Sequence, residues 1–383
     1  MMRALDRCHN IADLRELARR RVPRPMFEFM DGGAEDESTL RRNTEAFADY
    51  ELLPRYLIDV SEIDTTTRVL GAELQWPVIL APTGMSRMFH HTGEMAVVRA
   101  ATRTGTLYSL STMSSFSIED IGKETDGPKI FQVYVFRDPE LNLEFIERCK
   151  RASYQAMCLT IDVPTFGNRE RDLRTGLTIP PRLGPRTWAA FARCPAWVWN
   201  YLTKSRMAPV NVAHRVNHQD VVSVAQYVHA QFDPSVTWER AEQMIKAWDG
   251  PFAIKGILSP EDARCAVKIG ATAVVVSNHG GRQLDGAVTS IDALSDVVDA
   301  VGGQVEIILD GGIRRGSHVV KALAMGADAC MIGRPYLYGL GAGGEQGIDK
   351  MITILRSEIE RAMRLVGCRR IADLDEKFIR SRQ

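Results

Sequence analysis

The segment Val274-Val275-Val276-Ser277-Asn278-His279-Gly280-Gly281-Arg282-Gln283-Leu284-Asp285 passes abruptly from apolar to polar. Three successive valines, with no polar residue alternating between them, have the pattern of a strand buried on both faces. A turn follows in which two glycines free the backbone, with a histidine at its start and an arginine three residues on. A general base beside a guanidinium suits an anionic substrate: Arg282 grips a carboxylate while His279 takes a proton from the neighbouring carbon or oxygen. The plainer reading is a histidine satisfied in a loop and an arginine paired on the surface. The strand-end placement of this pair, and its companions elsewhere in the chain, favour the chemical reading.

Outward from this segment the chain alternates short apolar strands with helices. The pattern predicts strands at Pro77–Ala81, Leu107–Thr112, Lys129–Val135, Ala156–Val163, Phe252–Gly256, Ala273–Ser277, Val305–Asp310 and Ala329–Gly333. Helix signals lie between most of them. Ser259-Pro260-Glu261-Asp262 supplies an N-cap, a first-turn proline and acids that favour the helix dipole. Ser290–Val301 and Gly316–Met325 read likewise. Upstream, Ile11, Leu14, Leu17 and Ala18 recur at helical spacing, and a second helical segment from Pro25 to Met30 breaks at Asp31-Gly32-Gly33. Eight strands with helical crossovers predict an α/β fold, a (β/α)8 TIM barrel, as a single domain. Its parts are an N-terminal helical lead-in (1–76), the barrel (77–366) with a long insertion at about 165–236 between strands four and five, and a tail (367–383).

A chain of 383 residues is long enough for such a barrel. Acidic and basic residues balance at 48 each, which argues against nucleic acid as a partner. The seven cysteines form no CxxC pair, the habit of reduced cytoplasmic thiols rather than of disulfides or a metal site. The N-terminus lacks the apolar core of a signal peptide, and no run approaches the about 20 apolar residues that span a bilayer.

Barrels of this class place chemistry at the C-terminal ends of their strands. Those ends read Pro82-Thr83-Gly84, Ser111-Thr112, Gln132-Val133-Tyr134, Thr160-Ile161-Asp162, Lys255-Gly256, His279 with Arg282, Asp310-Gly311-Gly312-Ile313-Arg314, and Gly333-Arg334-Pro335. Each is polar where its strand is apolar. Any one is an ordinary loop start; eight together predict a site across one rim. The last two offer backbone amides and guanidinium groups past strands seven and eight, where barrels bind phosphate. With Lys255, Gln132, Thr160 and Ser111, they outline a flat phosphorylated cofactor over the barrel mouth. Gly339-Leu340-Gly341-Ala342-Gly343-Gly344 fits GxGxxG but opens no βαβ unit, so it is expected to be a loop before a final helix from about Gly347.

SNHGGRQLDG (277–286), ILDGGIRRG (308–316), LTIDVP (159–164), FQVYV (131–135) and LAPTG (80–84) together resemble the FMN-dependent L-2-hydroxy acid oxidases and dehydrogenases, from about Ala12 to Leu374. The likeness is strongest to the L-lactate dehydrogenase branch. It implies FMN as cofactor and conversion of an L-2-hydroxy acid to its 2-oxo acid. By position it implies His279 as catalytic base and Asp162 as the carboxylate that orients it. Arg282 and Arg169 match the substrate-carboxylate clamps, Tyr134 the phenol near the substrate hydroxyl, and Lys255 the cation near the flavin N1 region. Gln132, Thr160 and Ser111 match ring contacts, Pro82-Thr83 the backbone near the reactive edge, and Asp310 a ribityl contact. Arg314, Gly333 and Arg334 match the phosphate site, and Gly84, Ser277 and Gly312 fall among the cofactor contacts.

Two positions depart from the family pattern. Phe29, four residues before Gly33, stands where the family has a substrate-binding tyrosine, and Met113 stands where glycolate oxidase has tryptophan. Loss of one hydrogen bond to a charged group costs about 1.5–3 kcal/mol, which speaks against lactate itself as substrate. The insertion interleaves Trp188, Trp197, Trp199 and Tyr201 with Arg182, Arg186, Arg193, Lys204 and Arg206. Residues 180–215 are therefore expected either to contact a membrane surface or to form a lid or subunit contact. The resemblance further implies a homotetramer, cytoplasmic or peripheral on the inner face of the plasma membrane, with a quinone or cytochrome as electron acceptor. The alternatives are an oxidase that releases hydrogen peroxide and a flavin-binding partner protein without turnover. No metal site is expected.

Overall fold

A computed structural model describes residues 2–177, 184–204, 209–216 and 221–382. Eight parallel strands close a barrel: β1 (Val78–Leu80), β2 (Tyr108–Ser111), β3 (Lys129–Val133), β4 (Ala156–Thr160), β5 (Phe252–Ile257), β6 (Ala273–Val276), β7 (Glu306–Asp310) and β8 (Ala329–Ile332). Closure comes from β8 against β1, with Cys330 opposite Val78 and Ile332 opposite Leu80. The predicted strands all form, each a residue or more shorter at one or both ends except β5.

Strand alternation explains how an apolar sequence delivers a polar site. Ile79, Ile130, Ala156, Cys158, Ala253, Ala273, Val275, Ile308, Ala329 and Met331 pack inside the barrel, together with Val69, Leu70, Ala72 and Leu74 from a hairpin. Their neighbours in sequence, such as Phe131, Leu159, Ile254, Val274 and Leu309, face the surrounding helices. A period of two carries the inward row one step past its last apolar member, to Gln132, Thr160, Lys255, Ser277 and Asp310. Lateral register brings these to one level: Ser111 lies opposite Gln132 and Thr160 opposite Lys255. The apolar interior fills the barrel, and the polar row lies at the level of the site.

Helix Ile11–Arg21 starts on Asn10, whose side chain accepts from the Asp13 amide, and helix Arg24–Asp31 carries Pro25 in its first turn. Asp31 at the end of that helix is a buried junction. Its carboxylate accepts from Arg15 at 2.6 and 2.7 Å, from Arg171 at 3.1 Å and from the Tyr338 hydroxyl at 2.8 Å. Burial alone would raise its pKa, but Arg15 and Tyr338 more than offset that and hold it down to about 2. Arg171 also reaches Glu28 at 3.0 Å and bonds Glu37. This network ties the lead-in helices to helix Glu170–Thr175 and to the last helix, and so fixes Phe29 and Arg169 over the barrel mouth.

The insertion after β4 holds helices Glu170–Thr175, Pro185–Ala192 and Pro195–Thr203, with Pro185 and Pro195 each in a first turn. Arg182 and Arg206 lie outside the described residues. The stretch Gly339–Gly344 is not the expected loop. Helix Arg334–Val366 runs through Gly339–Ala342 and kinks only at Gly343 and Gly344, whose φ/ψ are non-helical. These glycines serve close packing: a Cβ on Gly339 would lie 2.6 Å from the Gly347 carbonyl oxygen, and one on Gly344 would lie 2.7 Å from the His90 ring.

Candidate active site

A cavity of about 690 Å³ opens at the C-terminal ends of the strands. That size is ordinary for a cofactor-plus-substrate site. Its walls include Phe29, Pro82, Thr83, Gly84, Ser111, Gln132, Tyr134, Thr160, Arg169, Lys255, His279, Arg282, Asp310, Gly312, Arg314, Gly333 and Arg334. Asp162 and Ser277 do not line it; they stand behind it and hold residues that do.

His279 occupies a left-handed backbone position (φ +57°), which histidine tolerates better than branched residues do. Its Nδ1 lies 2.9 Å from Asp162 Oδ1. With Nδ1–H donating to the carboxylate, Nε2 keeps its lone pair. Burial works against ionised Asp162, but His279 and Lys255 more than offset it and hold the carboxyl below its ordinary range. Gly256 makes the approach sterically feasible, since at φ +112° a Cβ there would sit 2.8 Å from that of Asp162.

The polar row forms two hydrogen-bonded groups. Ser111 Oγ donates to Gln132 Oε1 at 3.0 Å, and Gln132 Nε2 donates to Thr160 Oγ1 at 3.0 Å. Lys255 Nζ lies 2.6 Å from Asp310 Oδ2 and donates to Ser277 Oγ at 2.9 Å; Ser277 Oγ in turn donates to Asp310 at 2.8 Å. Burial disfavours the charged lysine, yet Asp310 and Asp162 raise its pKa above the ordinary value. Tyr134 is pushed up to about 12 by burial and by Asp162, so it stays a neutral hydroxyl at physiological pH.

The same cavity holds a cluster of guanidinium groups, Arg169, Arg282 and Arg334. Arg282 Nη1 donates to the carbonyls of Phe29 at 2.8 Å and Gly32 at 2.9 Å. Burial, and the nearby Arg169 and Arg334, push its pKa well down. An anion bound there would relieve that repulsion. The Phe29 ring lies under both clamps, 5.7 Å from the Arg169 guanidinium and 5.2 Å from that of Arg282.

Some residues of the site carry no sequence signal. Asp172 lines the cavity 4.0 Å from Arg169, and burial pushes its carboxyl up although Arg282 and Arg169 pull the other way. It sits in the insertion, with neither strand-end position nor motif to mark it. Phe166 and Phe232, from the two ends of the same insertion, also line the cavity.

The donor set fits a flavin mononucleotide. Gly311 (φ +121°) and Gly312 (φ +75°) turn the chain after β7, beside Arg314 and the N-terminus of helix Arg334–Val366. At Gly312 a Cβ would lie 1.8 Å from the Asn43 carbonyl oxygen, so only glycine permits this turn. The Arg334 side chain faces the clamp side, donating to Gly280 and Gly32 carbonyls at 2.8 and 2.7 Å, while its Nε is buried without a partner among the described residues. The sequence model of the FMN-dependent dehydrogenase family matches residues 18–381. The chain belongs to this family. It is thus an oxidoreductase, with FMN as cofactor. It is 39% identical to an L-lactate oxidase of Nostoc sp. over 99% of its own length and 100% of that protein. It is 41% identical to an L-lactate dehydrogenase of Haemophilus influenzae over 95% and 96% of the two chains. A solved (S)-mandelate dehydrogenase, described as a monotopic membrane protein, superposes with a TM-score of 0.94 at 34% identity, over 98% of this chain and 100% of that one.

Proposed function

We propose that this FMN enzyme oxidises an L-2-hydroxy acid to the 2-oxo acid. The supporting observation is the pairing, across one cavity, of an imidazole oriented by a buried carboxylate with two clamping guanidiniums. Arg282 and Arg169 bind the substrate carboxylate, which places the adjacent carbon and its hydroxyl between His279 Nε2 and the Tyr134 hydroxyl. His279 takes a proton, and Asp162 stabilises the resulting imidazolium through Nδ1–H. Lys255, held charged by Asp310, would offer positive charge to the ring of bound FMN. Ser111, Gln132 and Thr160 would orient that ring, and Arg314 with the backbone at Gly333–Arg334 would hold the phosphate. Bound FMN supplies the two-electron acceptor.

A quinone or cytochrome as terminal acceptor belongs to the same proposal. Anaerobic mixing with L-2-hydroxy acids is expected to bleach the flavin absorbance, and a soluble quinone is expected to restore it faster than air. Faster recovery in air, with hydrogen peroxide formed, would instead make the protein an oxidase. If no acid bleaches the flavin while dithionite does, the reading fails.

No helix among the described residues is long and apolar enough to cross a membrane. We propose peripheral contact through residues 180–215, on the inner face of the plasma membrane. Between Asp172 and Asp220 the sequence has seven basic residues and no acidic one. Trp188 is 61% exposed, Trp199 68% and Leu202 72%, an arrangement suited to an anionic interface. Trp197 instead faces the protein, donating to the Met88 carbonyl at 2.9 Å and stacking on Tyr201. The double variant Trp188→Ser/Trp199→Ser is expected to lose co-sedimentation with anionic vesicles and keep its FMN; undiminished sedimentation would overturn the proposal.

A further inference from the structure

Resting on the hydroxy-acid reading, we infer that the substrate carries a bulky apolar group on C2, aryl or branched alkyl, in place of the methyl of lactate. C2 has four substituents: the carboxylate goes to Arg169 and Arg282, the hydroxyl to His279 and Tyr134, the third is a hydrogen that needs no pocket, and the fourth is the variable group. The fourth points at what remains of the cavity wall. The apolar part of that wall is Phe29, Met85, Phe89, Met113, Leu173 and Leu177; Asn168 and Asp172 also line the cavity, Asp172 at the clamps, 4.0 Å from Arg169.

These residues are continuous with the clamps. Phe29 lies against both guanidiniums, and Phe89 stacks on Phe29 with centroids 6.5 Å apart. Leu173 is one helical turn beyond Arg169, and the Leu177 amide donates to the Asp172 carbonyl at 3.0 Å. Met85 and Met113 are joined by a backbone hydrogen bond of 2.8 Å, and Gly84 leaves the Met113 side chain room that a Cβ would fill. None of the six offers a side-chain hydroxyl, amide or charge. A polar C2 group would lose its water partners there without replacement. A methyl group would leave the wall largely uncovered, whereas each methylene added against it gains about fourfold. The two methionines adapt to the shape of the group.

The test compares FMN-loaded protein with L-lactate, L-2-hydroxy-4-methylpentanoate and L-mandelate for anaerobic flavin reduction. It also measures calorimetric binding of the corresponding 2-oxo acids, which requires no turnover. Both bulky acids are expected to reduce the flavin with kcat/KM at least about tenfold above lactate, and their 2-oxo acids to bind at least about tenfold tighter than pyruvate. Equal or reversed preference overturns the inference and leaves the hydroxy-acid reading standing; failure of every acid to reduce the flavin removes both. Met113→Trp is expected to lower the bulky-to-lactate ratio at least about tenfold at unchanged FMN content. Phe29→Tyr, which restores a donor beside the clamps, is expected to raise lactate turnover about 10- to 150-fold. An unchanged ratio in both variants counts against this wall as the determinant.

Discussion

Replacement of His279 by glutamine is expected to lower kcat about 10²- to 10⁴-fold while FMN stays bound, the range that a positioned general base contributes. The geometry behind this number is local. Asp162 Oδ1, 2.9 Å from Nδ1, fixes which nitrogen donates, and the other faces the cavity. Glutamine keeps a polar side chain at that point but cannot take a proton at neutral pH. Asp162→Asn should produce a smaller loss, because an amide can present its oxygen to Nδ1–H but carries no charge to stabilise the imidazolium. The two residues act as one unit, so the double variant should be little worse than His279→Gln alone. Single-turnover flavin reduction reads this directly. A rate within tenfold of the parent, in protein with full flavin content, would remove His279 from the role of base.

Arg282→Met is expected to lower kcat/KM about 10²- to 10³-fold, through weaker binding of substrate and of the 2-oxo acid alike. Two charge-assisted hydrogen bonds to a carboxylate at about 1.5–3 kcal/mol each set this scale, taken at its lower half because Arg169 remains. Arg282 is buried, held by the carbonyls of Phe29 and Gly32, and crowded by Arg169 and Arg334. The bound anion relieves this crowding, so Arg282→Lys should rescue little, since one ammonium cannot reach two carbonyls and a carboxylate in the same plane. Measured dissociation constants for the 2-oxo acid decide the matter: an unchanged constant in Arg282→Met would place the carboxylate elsewhere.

The strands, the rim and the flavin family were legible in the sequence because their signals are local. Runs such as Val274–Val276 and Ile307–Leu309 announce buried strands by composition. Polar ends on apolar strands, together with the family motifs, mark Gln132, Thr160, Lys255 and Asp310 as candidate site residues in the sequence, and the period of two turns their side chains inward.

Contacts between distant segments were decided only by the tertiary structure. Asp172 reaches the clamps because Asp31, Arg15, Arg171 and Tyr338 pin helix Glu170–Thr175 to the lead-in and the last helix, a junction of four segments that no spacing reveals. Ser277 faces inward as its position in the strand requires, yet Lys255 and Asp310 close over it and withdraw it from the cavity. The Gly339–Gly344 stretch has loop composition but is mostly helix, because Gly339 lets the Gly347 backbone approach and Gly344 leaves room for the His90 ring. Propensity and periodicity act over a few residues along the chain; the junction at Asp31 draws Arg171 and Tyr338 from 140 and 307 residues away, and only the closed barrel brings those partners together.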